Sequence, residues 1–324
     1  MERFDKGGCT DHTCCLRYVR RLQAIGPDRL SRLGKIAIFQ AMTTSEQNLA
    51  SGQGWYVCDV LCTAGAGDRP FEEAHDTFCV AAVTSGTFRY RTRQGAAMLA
   101  PGAILLGNVG ACYECGHEHG SGDRCLSFHF APAYLDRIAS DVPGASKLAF
   151  RVPHMPPLPA LASLLAEAEA AREMVDIDAF EELGLRIAGA ALAVAGAALP
   201  VASDAVPGVR APSRRDQKRV AEAVRQIELH ADRPVSLSEL ACATATSPYH
   251  FLRTFRQVAG MTPYQFLLRT RLHRAAVRLR MSGDAISAIA FEAGFNDLST
   301  FNRRFRRVMG ETPGDYRARR VATR

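Results

Sequence analysis

The sequence predicts an α+β multidomain chain, with an N-terminal β-barrel or sandwich carrying a helical hairpin and a C-terminal part that is all α. Three observations predict it. From about residue 53 to 131, short apolar or alternating runs such as WYVCDVLC, TFCVAAV, TFRYRT, AILLG and CLSFHF are separated by Gly, Pro, Asn and Asp, the spacing of consecutive strands in a barrel or sandwich. Residues 156–199 then turn rich in Ala, Leu and Glu with an interruption near MVDID, the pattern of two helices folded back on each other. In the last third of the chain, one helical unit is written twice.

Taken in order, residues 1–50 contain CTDHTCC and an arginine-rich stretch without a consistent period, and form an N-terminal extension of unassigned role. The strands define a β-rich domain at 51–135, followed by the helical region at 136–199. The Ala/Gly-rich second helix permits close approach, either to a second copy in a homodimer or to the β domain. LPVASDAVPGVRAPSRR supplies Pro, Gly and Ser without periodicity, which sets a linker at 200–213 and an all-α domain at 214–324.

The repeat is explicit. Phe251, Phe255, Val258, Gly260, Thr262 and Pro263 recur 50 residues later as Phe301, Phe305, Val308, Gly310, Thr312 and Pro313. Upstream, SLSELA at 236 matches AISAIA at 285, with one extra residue in the second copy. Each copy reads as a short helix, a turn and a second helix. Ser236 and Glu239 have capping-box spacing, Ser247 followed by Pro248 offers an N-cap and a favourable first position, Gly294 marks the second turn, and Asp297 or Asn296 caps the helix after it. On the second helices the phenylalanines and valine fall at i, i+4 and i+7, one apolar stripe. Tyr249, Arg253 and Arg256, matched by Ser299, Arg303 and Arg306, repeat the same spacing on another face, which is left for a ligand. Between the copies, Thr262-Pro263 starts a helix that Ser282-Gly283 ends, giving 263–281, or about 28 Å at the usual rise.

Charge points to that ligand. The formal net charge is +7, yet residues 214–324 hold 21 Lys and Arg against 10 Asp and Glu, so the rest of the chain is net acidic. All of the basic residues there except Lys218 are arginines, whose planar fork suits phosphates and guanine edges. Double-stranded DNA is the partner this distribution favours, with the two second helices lying in successive major grooves about 34 Å apart. No N-terminal stretch reads as a secretory signal, and the longest apolar run, IAGAALAVAGAAL at 187–199, is too short to span a bilayer. A cytoplasmic location without membrane contact is expected, where the 10 cysteines would be free thiols or metal ligands.

The stretch AISAIAFEAGFNDLSTFNRRFRRVMGETPGDYRARR resembles the signature of the AraC/XylS family of bacterial transcription regulators, and the resemblance extends over 216–320. It implies two helix-turn-helix units joined by a helix, and a regulator, most often an activator, rather than an enzyme. Base reading would then fall on Tyr249, Leu252 and Arg253 in the first unit and on Ser299 and Arg303 in the second. Leu252 would meet a thymine methyl or pack internally. His250, Arg256, Asn302, Arg306 and Arg307 would flank the bases or contact phosphates. Members of this family can also engage RNA polymerase.

Many relatives carry an N-terminal cupin barrel that binds an effector, and HDTFCVAAVTSGTFRYRTRQGAAMLAPGAILLGN, with turns at Gly86, Gly95 and Pro101-Gly102, is similar to one. Enzymatic cupins use two histidines and a glutamate in one motif and a further histidine in another. Here His75 stands alone and Asn108 or Val109 fills the second region, which argues against a cupin oxygenase. CYECGHEHGSGDRC concentrates Cys112, Cys115, His117, His119 and Cys125, and Cys115, His117, His119 and Cys125 form a candidate zinc site on one strand face and its return. Disulfide exchange among Cys112, Cys115 and Cys125 is a thiol-based alternative. A small organic inducer inside the barrel, lined in part by Trp55, Phe78 and Phe88, is a third. Cys58, Cys62, Cys112 and Cys115 also echo the four-cysteine zinc site of the adaptive-response alkyltransferase, against which stand their wide separation and β-rich setting.

Overall fold

In the computed structural model the described residues are 44–319, except 66, 118–121, 143–148 and 197–211. The N-terminal extension up to residue 43, nearly all of the expected linker and His119 therefore lie outside them. Ser45–Arg324 belong to one compact unit.

Among the described residues nine strands come first, β1 (Thr44–Gly52), β2 (Trp55–Cys62), β3 (Phe71–Ala74), β4 (Phe78–Gly86), β5 (Phe88–Thr92), β6 (Gly95–Leu99), β7 (Ile104–Gly107), β8 (Cys112–Gly116) and β9 (Asp123–Phe130), and the short β10 (His154–Met155) follows one helix later. They form a six-stranded sheet in the order β1-β2-β9-β4-β7-β10 and a four-stranded sheet in the order β3-β8-β5-β6. The β region thus begins at Thr44, ahead of the expected residue 51. TSEQNLASG is mostly exposed along its length, so this edge strand carries no apolar alternation to announce it.

The alternation of β2, β4 and β9 sorts two cores. On the inner face Cys79, Ala81, Val83 and Cys125 meet Phe88, Tyr90 and Leu99 of the second sheet. On the outer face Trp55, Val57, Phe78, Val80, Phe128 and Phe130 meet helices. This corrects the expected inducer lining: Trp55 and Phe78 face the helices, and only Phe88 of that trio lies inside the barrel. The period-2 pattern shows that the two sets occupy opposite faces, but not which face closes the barrel.

The covering helices are α1 (Pro132–Asp141), α2 (Pro159–Met174) and α3 (Ala179–Gly196). The helix α1 starts inside the interval read as β domain up to 135. Leu161, Leu164, Leu165, Ala168 and Ala171 of α2 enter the sheet-side core, while its Ala166 enters the core of the second repeat unit with Leu272, Ala275 and Phe305. Small side chains let α2 serve both sides, so the helical hairpin packs within the chain. The helix α3 also buries Phe180, Leu183 and Ile187 there, leaving Leu185 as its large apolar residue at the surface, 42% exposed.

The C-terminal part comprises α4 (Arg214–His230), α5 (Leu237–Ala243), α6 (Pro248–Ala259), α7 (Pro263–Met281), α8 (Ile286–Glu292), α9 (Leu298–Met309) and α10 (Pro313–Ala318). The caps lie where the sequence predicts them. Ser236 and Glu239 close a capping box on α5, Ser247 caps α6, Thr262 and Gln265 box α7, and Asp297 caps α9. Phe251 and Phe255 fill the core of the first unit, which also takes in Ala100 after β6. Phe301 and Phe305 fill that of the second.

Candidate nucleic-acid interface and barrel cluster

Burial of the phenylalanine stripe turns the opposite face of α6 and α9 outward. Tyr249, His250, Arg253 and Arg256 on α6 are exposed, as are Ser299, Asn302, Arg303, Arg306 and Arg307 on α9. Tyr249 is 78% exposed, a large aromatic left uncovered by the described residues. Leu252 differs: it is half-buried and lines a hollow with Ile227, Leu240 and Leu267, which favours its packing role over a thymine contact.

Several arginines of this part are tied down within the chain. Arg271 donates to the carbonyls of Ala231 at 2.6 Å and Arg233 at 2.9 Å, closing the end of α4. Arg278 bridges Asp284 at 2.9 Å and also Glu292, Arg317 donates to the Asp284 carbonyl at 2.7 Å, and Arg280 and Arg319 reach Glu167 at 3.0 and 2.8 Å. Arg253, Arg256, Arg306 and Arg307 enter no ion pair among the described residues. The outward faces of α6 and α9 thus present exposed guanidinium groups, Arg303 beside Asp297, as does the start of α4 at Arg214 and Arg215; a phosphate backbone and base edges would meet those of α6 and α9.

Inside the barrel the surroundings are unusually soft and polar. His75 is buried, donates or accepts at 2.9 Å with the Tyr90 hydroxyl and stacks on Tyr113 with ring centres 4.3 Å apart. Burial, helped by His129, pushes its pKa down to about 4, so it is a neutral, hydrogen-bonded core residue. Cys79, Ser127, His129 and Thr77 form a chain with successive contacts of 3.3, 2.7 and 3.0 Å. Burial pushes the Cys79 thiol up to about 12, which makes it a poor nucleophile.

His117 belongs to a different trio from the expected one. Its Nε2 lies 2.5 Å from Asp123 Oδ1, and ligand atoms of Cys62, His117 and Asp123 all fall within 4.8 Å of one another. Cys62 and Asp123 face each other in the β2–β9 register, a pairing between distant segments that local spacing cannot reveal. Burial opposes a charge on His117, but hydrogen bonds to Asp123 and Cys62 outweigh it and raise its pKa to about 9. Cys125 donates to Asp123 Oδ2 at 3.7 Å. Cys115 faces the barrel core, whereas Cys112 occupies the alternate strand position, opposite Ala74; burial and the neighbouring Asp123 carboxylate push the Cys115 thiol well above its usual value.

A second cavity, of about 270 Å³, opens between the β domain and the C-terminal helices. Thr84 and Ser85 of β4, Glu169 of α2, Glu228 of α4 and His273 and Arg274 of α7 are among its walls. His273 Nε2 lies 2.9 Å from Glu169 Oε2, and the Gly86 N–H donates to Glu228 Oε1 at 3.4 Å. The arrangement defines a class: a two-unit helix-turn-helix DNA-binding protein with a sheet-rich ligand-binding part packed on it.

Comparison with known proteins assigns the family within that class. A helix-turn-helix domain model matches residues 240–319, and an AraC-like ligand binding domain model matches residues 63–183. Regulatory protein SoxS of Escherichia coli (strain K12) is 35% identical over 103 residues, 32% of this chain and 96% of that relative. The right origin-binding protein of the same strain is 34% identical over 91 residues, 28% of this chain and 32% of that protein. Among solved structures, an AraC-type transcriptional regulator from Chromobacterium violaceum is 28% identical, with a TM-score of 0.32, over 34% of this chain and 97% of that one. The chain belongs to the AraC/XylS family and is a DNA-binding transcriptional regulator with an AraC-like ligand-binding domain. No helix among the described residues is long and apolar enough to cross a membrane.

Proposed function

We propose that α6 and α9 read successive major grooves on one face of the operator, with α7 as the strut between them. Arg253 and Arg303 address bases. Tyr249 and Ser299 sit beside them, and His250, Arg256, Asn302, Arg306 and Arg307 hold the flanking phosphates. The observation that carries this reading is the exposed basic face of each helix: Arg271, Arg278 and Arg280 are tied to carbonyls and carboxylates of the chain, whereas Arg253, Arg256, Arg306 and Arg307 are exposed and enter no ion pair among the described residues.

The effector in this reading is a small organic molecule in the cavity between the β domain and the helices. Its apolar body would lie against Ala82, Leu165 and Phe266, and its polar handle against the Glu169–His273 pair or Arg269. The wall of that cavity includes Glu228, through which α4 holds β4, so an occupant acts on the contact joining sensor to reader.

Hydroxyl-radical footprinting on an operator selected from random DNA tests the two-groove reading. Two protected stretches about one helical turn apart on the same DNA face are expected. A single protected stretch of one half-site would show that only one unit engages DNA and would overturn the reading.

A further inference from the structure

We propose that Cys62 Sγ, His117 Nε2 and a carboxylate oxygen of Asp123 bind one zinc ion at the rim of the barrel that faces the DNA reader, and that this ion tunes DNA binding. The regulatory half of the proposal rests on the DNA-binding reading above; the metal-binding half does not.

The ligand set is chemically apt. A thiolate, an imidazole and a carboxylate are the ligands zinc takes. All three residues are buried, at 5, 8 and 8% exposure for Cys62, His117 and Asp123, so the ion would be held by donors already positioned and shielded. Three protein ligands leave a fourth position, the form of a site whose metal exchanges or takes a further ligand. Cys125 Sγ, 3.7 Å from Asp123 Oδ2, stands next to it. The Nε2–Oδ1 distance of 2.5 Å is that of a hydrogen bond. Zinc entry would replace that shared proton and the Cys62 thiol proton, releasing both to solvent, and would move the two ligand atoms apart to make room for the metal.

That movement has somewhere to go. Asp123 is the first residue of β9 and pairs with Cys62, the last of β2, on one side and with Gly86, the last of β4, on the other. The Gly86 N–H in turn donates to Glu228 of α4. The rim is closely packed: a Cβ at Gly86 would lie 2.2 Å from the Gly122 carbonyl and 2.8 Å from Asp123 Cα. A shift of Asp123 therefore reaches Gly86 without slack to absorb it, and Gly86 is one of the residues in contact with the reader, through Glu228.

The test uses the full chain purified under reducing conditions without chelator, with zinc measured by elemental analysis and by competition with a chromophoric chelator. One zinc per chain is expected, with affinity falling at least tenfold in Cys62→Ser and in His117→Gln and unchanged in Cys112→Ser. Absence of bound zinc in the wild type, or full retention in both ligand variants, overturns the site. Because a rim variant can fail to fold, X-ray absorption on the zinc-loaded wild type provides an independent reading. One sulfur with nitrogen and oxygen neighbours is expected, and a sulfur-free shell, or one of several sulfurs, overturns the assignment. Operator affinity is then compared with and without zinc: a change of at least threefold is expected, and equal affinity overturns the regulatory role. Zinc bound on these residues by a protein that binds no operator would overturn the DNA-binding reading while leaving the metal site standing.

Discussion

At the scale of single residues, an arginine acts through whatever its guanidinium finds within reach. Arg253 and Arg303 are exposed on the outward helix faces, Arg303 with the Asp297 carboxylate nearby, and each is expected to contribute base recognition. Arg253→Ala or Arg303→Ala should cost about 1–3 kcal/mol of operator affinity, confined to its own half-site, as expected for a lost bidentate base contact. Fluorescence anisotropy against the operator, half-site mutants and random DNA checks this, and an equal loss on random DNA would reassign the residue to phosphate. Arg271 finds two carbonyls at 2.6 and 2.9 Å. Arg271→Ala should instead lower folding stability by about 1–3 kcal/mol, because two charge-assisted hydrogen bonds are lost and their acceptors left behind, with urea denaturation as the measurement. The excess of arginine was legible in the sequence, but its division was not, because Ala231 and Arg233 lie some forty positions from Arg271. His117 shows the same limit: its own stretch suggested Cys115 and Cys125 as partners, whereas the fold supplies Cys62 from the far end of β2.

At the scale of elements, the two helix-turn-helix units are a repeat with one informative difference at the turn. In the second unit Gly294 adopts φ +88° there, and a Cβ would lie 2.8 and 2.9 Å from the carbonyl oxygens of Asp232 and Ala231. Gly294→Ala therefore combines left-handed strain with a backbone clash, and a loss of at least about 2 kcal/mol is expected. In the first unit Ala245 holds the corresponding place at φ 51°. It is exposed, so removing its methyl group sacrifices no packing, and Ala245→Gly should raise stability by about 0.5–1 kcal/mol as relief of strain exceeds the added chain entropy. Thermal unfolding of both variants measures the pair; a destabilised Ala245→Gly would show that entropy outweighs strain at this turn. Gly294 was visible as a turn because glycine is a turn signal, whereas Ala245 was not, because alanine reads as helix. The caps at Ser236, Ser247 and Asp297 were legible because capping depends on residues within one turn of each other. The exposed β1 was missed because its signal would have had to be apolar alternation, which an edge strand can do without.

At the scale of the whole molecule, sensor and reader are joined by buried charge as well as by apolar packing. Glu167 on α2 is 8% exposed and receives Arg186 at 2.8 Å from α3, Arg280 at 3.0 Å from α7, and Arg319 at 2.8 Å. Burial works against its charge, but the three arginines prevail and hold its pKa below the usual value. None of this junction was legible in the sequence, since each partner comes from a different element. Glu228, on the other side of the junction, behaves in the opposite way. Burial raises its pKa from 4.5 to about 7, against the opposing pull of the Gly86 N–H and Arg274, with Glu169 adding to the rise; His273 faces the same cavity but is paired with Glu169. A carboxyl whose folded pKa lies above its unfolded value binds more protons in the native state, so its contribution to stability is fully present below about pH 4.5 and is lost as pH rises through 7. The loss is up to about 3 kcal/mol between those limits. Glu228→Gln keeps the neutral shape and an oxygen for the Gly86 N–H, so it should match the wild type near pH 5 and exceed it in stability at pH 8. Urea denaturation at the two pH values measures the difference, and a variant whose stability follows the wild-type pH dependence throughout would place the titrating group elsewhere. Since Glu228 is also the residue through which α4 grips β4, the same substitution should make the sensor–reader contact indifferent to pH across that window.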